Sequence, residues 1–77
     1  MPATPIPVRL ARLGWRRSRK GNLWKTDGGW CLTVFRRRDG RFGWSVTAGD
    51  DGPTSWSPES YRTEAEAAQA ATDWTAE

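Results

Sequence analysis

Apolar and polar side chains alternate most regularly between residues 30 and 46. Trp30, Leu32 and Val34 fall on one face of an extended segment, and Phe42, Trp44 and Val46 fall on one face of the next. The first of these, residues 30–37, is rich in aromatic and β-branched residues and bounded by glycine turns, which marks it as a strand. A two-residue Asp39-Gly40 turn would pair Phe35 with Trp44 and put the two apolar sets on opposite faces. A three-residue loop, Arg38-Asp39-Gly40, pairs Val34 with Trp44 and puts all six on one face, with Gly40 in the left-handed conformation of a bulge. The second register is adopted here. It leaves Cys31, Thr33 and Phe35 beside Gly43, Ser45 and Thr47 on the other face.

Upstream, residues 23–26 read as the preceding strand, reversed at Asp27-Gly28-Gly29, and residues 18–22 as a turn. The apolar-basic stretch 8–15 suits a strand or a helical turn and is assigned to a strand reaching about residue 17. Downstream, Asp50-Asp51-Gly52-Pro53 is a turn and residues 54–57 a short fourth or fifth strand. Thr63 and Glu66 form a capping box that opens an alanine-rich helix running to about Trp74. Ala67, Ala71 and Trp74 lie on one stripe of that helix, widened by Ala68 and Ala70. Small alanines permit close approach to a sheet face filled with large rings. The expected fold is α+β, an antiparallel three- to five-stranded meander with one C-terminal helix packed on one face. Residues 8–77 are expected to form a single small domain behind a flexible arm, 1–7, whose Pro2, Pro5 and Pro7 withhold backbone donors.

Composition sharpens this picture. In a chain of 77 residues the core is near the lower limit for independent stability, and six tryptophans supply the bulk it needs. Trp30, Trp44 and Trp74 are placed in the core by their apolar faces. Trp15, Trp24 and Trp56 are less constrained by pattern and are also expected to be buried, with a partner contact as the alternative. A single cysteine, Cys31, cannot form an internal disulfide, and a chain without histidine cannot build Cys/His zinc sites or histidine-based triads by itself. No apolar run is long enough to span a bilayer, and no secretory signal is apparent, so a soluble cytoplasmic protein without membrane contact is expected.

Charge adds the functional expectation. Residues 1–41 hold eleven Lys/Arg against two acids, a net +9, whereas residues 42–77 hold one Arg against seven acids, a net −6. In a meander, alternate connections share an end of the sheet. The turns at 16–22 and 36–41 therefore bring together Arg16, Arg17, Arg19, Lys20, Arg36, Arg37, Arg38 and Arg41, with Asp27, Asp50 and Asp51 at the far end. Such a tip suits several phosphates of a nucleic acid. Phe35, on the open face beside Arg37, is a candidate for base contact; the alternative is a local cover over the sheet edge. The acids fit turns and helix starts, and neither glycine-containing turn matches a phosphate-binding loop, so no enzyme activity and no cofactor are expected.

The segment 29–67 resembles the small arm-site DNA-binding domains of phage tyrosine integrases. The matching features are Gly29-Trp30 with alternation to Val34, the Asp39-Gly40 turn, Trp44-Ser45-Val46, and Tyr61-Arg62-Thr63-Glu64-Ala65-Glu66-Ala67 at the helix entry. The resemblance covers about half of the chain. It implies a sheet packed on one helix, with the open face entering the DNA major groove through Thr33, Phe35, Arg37, Arg41 and Ser45. The expected function is a small nucleic-acid-binding accessory protein, DNA favoured over RNA, of phage or mobile-element type. The alternative is a protein-interaction module or inhibitor that presents the basic tip to an acidic partner protein.

Overall fold

A computed structural model of the chain describes residues 6–49 and 51–76. Five antiparallel strands follow one another across a single sheet: β1 (Arg16–Arg17), β2 (Leu23–Asp27), β3 (Trp30–Arg36), β4 (Phe42–Ala48) and β5 (Thr54–Trp56). A short helix, α1 (Val8–Arg12), precedes the sheet, and α2 (Glu64–Thr75) follows it and packs across β3 and β4. This is the expected α+β meander with five strands.

The central register is Val34 opposite Trp44 and Leu32 opposite Val46. The three-residue loop closes it. The Arg37 amide donates to the Arg41 carbonyl (2.7 Å), the Gly40 amide donates to the Arg37 carbonyl (3.0 Å), and Gly40 has φ +83°. The connection from β1 to β2 repeats this loop. The Ser18 amide donates to the Asn22 carbonyl (2.8 Å), the Gly21 amide donates to the Ser18 carbonyl (2.9 Å), and Gly21 has φ +88°. Between β2 and β3 the reversal needs only Gly28-Gly29, both at positive φ, which pairs Asp27 with Trp30 and Leu23 with Val34.

These registers place Leu23, Leu32, Val34, Trp44 and Val46 on the face under α2, and all five are buried. Burial of each Leu or Val contributes about 1.5–3 kcal/mol relative to exposure. From the helix come Ala67, Ala68 and Ala71, each almost fully enclosed. Methyl groups facing rings and branched chains let the helix sit close to the sheet. At its C-terminal end, Trp74 packs edge-on to Trp30, with centroids 5.4 Å apart, and at 6.0 Å from Trp44. Trp44 is fully inside the core and Trp30 half-buried at its rim, whereas Trp74, expected in the core, is 38 % exposed because it sits near the C-terminal end of α2 and covers the rim from outside.

Residues 8–12 are a helical turn, not the expected strand. Two constraints produce it. Gly14, at φ +97°, ends the turn with paired bonds, Trp15 amide to Leu10 carbonyl and Gly14 amide to Ala11 carbonyl, each 3.1 Å. This is a Schellman closure, and the two residues it brings together, Leu10 and Trp15, are both buried in the core. Lys25, a buried residue, then reaches up from β2 over the Trp15 ring, where its ammonium donates to the Leu13 carbonyl (3.3 Å) and lies 3.6 Å from the Asp27 carboxylate. Of the proposed N-terminal arm, residues 1–5 lie outside the described residues; Ile6 packs against the core.

The entry to α2 forms at Thr63, whose extended backbone (φ −129°, ψ 156°) aims its hydroxyl to accept the Glu66 amide at 3.1 Å. Thr63→Ala is expected to cost about 1 kcal/mol, a fall of about 4–8 °C in thermal midpoint for a domain of this size. Gly14→Ala forces a side chain into the left-handed region and is expected to cost about 1–2 kcal/mol. Both are measured by thermal unfolding followed by circular dichroism.

Candidate nucleic-acid interface

The two similar loops lie at the same end of the meander. Arg17, Lys20, Gly21 and Asn22 from the first, with Arg36 and Phe42 from the flanks of the second and Glu64 from α2, line one cavity of about 290 Å³. The basic turns therefore meet in space.

Their side chains divide into two groups. Arg17 pairs with Glu64 through both guanidinium nitrogens, at 2.5 and 3.2 Å, and also donates to the Gly21 carbonyl (2.9 Å). Arg41 donates to the Ser60 hydroxyl (2.6 Å) and carbonyl (3.0 Å). Arg17 thus holds the first loop to the start of α2, and Arg41 holds the second to the segment just before it. Arg16, Arg19, Lys20, Arg36, Arg37 and Arg38 are exposed. Arg37 stands 3.9 Å from the Asp39 carboxylate, a loose surface pair, while Asp39 accepts the Arg41 amide (2.9 Å) inside its own loop.

The open face of the sheet is organised in cross-strand rows. One row runs Arg16, Trp24, Thr33, Ser45, Trp56 across all five strands, and the next runs Thr26, Cys31, Thr47, Thr54. Phe35 lies opposite Gly43. Because Gly43 has no side chain, the Phe35 ring crosses it and meets Trp56 edge to face, with centroids 5.7 Å apart. Phe35 is half-buried in this contact.

Trp24 and Trp56 are 38 % and 65 % exposed, which corrects the expectation that both are buried; Trp15 is buried as expected. Physically, the core face of β2 is taken by Leu23 and Lys25, so the alternation drives Trp24 outward. The Gly28-Gly29 turn carried that information in the sequence, because a two-residue reversal sets Trp24 opposite Thr33. In β5, Ser55 faces the core opposite Val46, and Trp56 turns outward for the same reason.

Both helices lie on the other side of the sheet, where α1 and α2 together with Trp15 and Lys25 enclose a second cavity. The carboxylates Glu64, Glu66 and Asp73 belong to α2. Among the described residues, the ladder positions of the open face carry Arg16 and no acid. Asp27 and Asp51 lie at the end opposite the basic loops; Asp50 lies outside the described residues. Among the described residues no helix is long and apolar enough to cross a membrane, and no group of three or more His, Cys, Asp or Glu side chains is placed to hold a metal ion.

No protein-family model matches this chain, and no curated protein or solved structure matches it either.

A Cβ at residue 43 would stand 3.1 Å from both the Phe35 ring and the Ser57 hydroxyl, and that hydroxyl is already engaged by the Trp44 amide (3.2 Å). Gly43→Val is therefore expected to destabilise the fold by about 1–3 kcal/mol through overpacking. It should also change the near-ultraviolet circular dichroism as the Phe35–Trp56 pair separates. An unchanged spectrum and midpoint would show that the rings yield freely.

Proposed function

We propose that this protein is a small nucleic-acid-binding accessory protein that docks through its arginine-rich hairpin loops, and that it binds rather than catalyses. The observation that carries the reading is the convergence of two like-built three-residue loops at one end of the sheet, with Arg19, Lys20, Arg36, Arg37 and Arg38 exposed around them. A cluster of cations on backbone fixed by hydrogen bonds suits neighbouring phosphates, and each phosphate neutralised releases counterions from the nucleic acid. Arg17 and Arg41 serve this reading as positioning residues, since Arg17 ties one loop to the first residue of α2 and Arg41 ties the other to Ser60 just before it. The resemblance to arm-site domains favours DNA over RNA and gives the reading its phage or mobile-element setting.

A second reading, an acidic protein partner, is favoured by the exposure of Trp24 and Trp56, since indoles are common anchors in protein interfaces. The two separate in a salt series. Replacing Arg37 and Arg38 by Gln, or Arg19 and Lys20 by Gln, is expected to weaken binding to DNA. Each pair should flatten the slope of log affinity against log salt by up to about two units. Replacing Asp27 and Asp51 by Asn at the far end is expected to leave affinity unchanged or raise it. Equal losses from mutation at both ends, or no binding at low salt, would overturn the reading and leave the protein partner.

A further inference from the structure

The loops offer partners for phosphates but leave the open face unexplained, where Trp56 is largely and Trp24 partly exposed on a domain short of core material. We infer that this face is a stacking platform for the unpaired bases of a single-stranded nucleic acid, an inference that rests on the proposed function above and specifies its ligand. Three features converge on such a strand. Trp24 and Trp56 sit in one cross-strand row, three strand spacings or about 14 Å apart. They are too distant to share one base and suit successive stretches of a strand crossing the sheet. Between them the floor is Thr33 and Ser45, small and polar, which leaves the indoles standing above it. Phe35 meets Trp56 edge-on and supports one side of the ring, which lowers the ordering cost of a contact.

Charge selects the occupant. Arg16 continues the same row at its β1 edge, the basic loops border the face at one end, and the ladder positions offer no carboxylate to repel phosphate. The acids of α2 lie behind the sheet. An unpaired strand presents both groups this surface takes, flat bases and a line of phosphates. A duplex hides its base faces inside the stack, so it can use the loops but not the indoles.

The test compares the full chain binding a fluorescently labelled single-stranded DNA about ten nucleotides long, the RNA of the same sequence and the corresponding duplex, all at low salt. The single strands are expected to bind more tightly than the duplex. Trp56→Ala and Trp24→Ala should each weaken single-strand binding by about 5- to 100-fold and leave duplex binding unchanged, whereas Trp56→Phe retains most of the affinity. Ser45→Glu, which places a carboxylate between the indoles, should selectively weaken the single strand. Because Trp56 is largely exposed, its variant is expected to keep the wild-type thermal midpoint. Any preference for the DNA strand over the RNA strand should stay within about tenfold, since stacking reads the base and not the sugar.

Several results would overturn the platform. Duplex binding equal to single-strand binding, with both indifferent to the tryptophan variants, would do so while leaving the loop-docking reading intact. A preference above about tenfold for one sugar would show that something other than stacking carries the contact. Failure of all three ligands to bind at low salt would remove the proposed function together with the platform and would point to a protein partner.

Discussion

The structure depends on the parity set by the loop between β3 and β4. A single residue more or less between Arg37 and Arg41 would turn Val34 and Trp44 to opposite faces, and each face would carry half of a core. The loop resists that slip at three points. Gly40 takes a left-handed conformation that other residues avoid, the Arg37 and Gly40 amides are both bonded, and the Asp39 carboxylate accepts the Arg41 amide. With parity settled, every large apolar side chain of the two central strands except Phe35 falls on one side. That side becomes too crowded for anything but an alanine-lined helix, so the choice of Ala67, Ala68 and Ala71 follows from the loop.

The parts of this fold that were legible in the sequence are those where a local rule and a packing rule agree. Alternation from Trp30 to Val46 and the cap at Thr63 each leave few alternatives. Residues 8–12 differ from the expected strand because one turn of helix is too short to display a 3.6-residue period. What specifies it is an ending, Gly14 flanked by Leu10 and Trp15, and the meeting of those two side chains becomes visible only when the closure is known. Trp24 and Trp56 were misassigned for a different reason. Aromatic character alone does not choose a face, and only register does. Gly28-Gly29 would have supplied it for Trp24, but the longer connection between β4 and β5 admits more than one register for Trp56.

The candidate site shows the same limit. Counting charges along the chain locates a basic end but does not say which arginines already have work. Arg17 meets Glu64 across 47 positions and Arg41 meets Ser60 across 19, distances over which sequence pattern carries no signal. Those contacts have a common result. Arg17 fastens the first basic loop to the first residue of α2 and Arg41 fastens the second to Ser60 just ahead of that helix, so the two loops are tied to the same helix entry and not only to the sheet. Cations on independently moving hairpins would have to be ordered when a ligand arrives, at a cost in conformational entropy. Here part of that ordering belongs to the fold.

The two faces of the sheet also differ in what they contribute to stability. In so small a domain, an indole moved from solvent to core would add hydrophobic stabilisation that the chain has few other ways to obtain. Trp15 and Trp44 are used in that way. Trp24 and Trp56 are not, although a threonine or valine would serve as well at an exposed strand position and would remove a sticky surface. Gly43 compounds the cost, because a strand interior is weakened by glycine, yet its missing side chain is what lets Phe35 reach and brace Trp56. The open face thus forgoes stability at Trp24 on one side and at Gly43 and Trp56 on the other, and at the second of these Phe35 gives the exposed ring a contact along one edge. The open face is therefore as much a part of the functional argument as the charged end, and the two adjoin along Arg16 and Phe35.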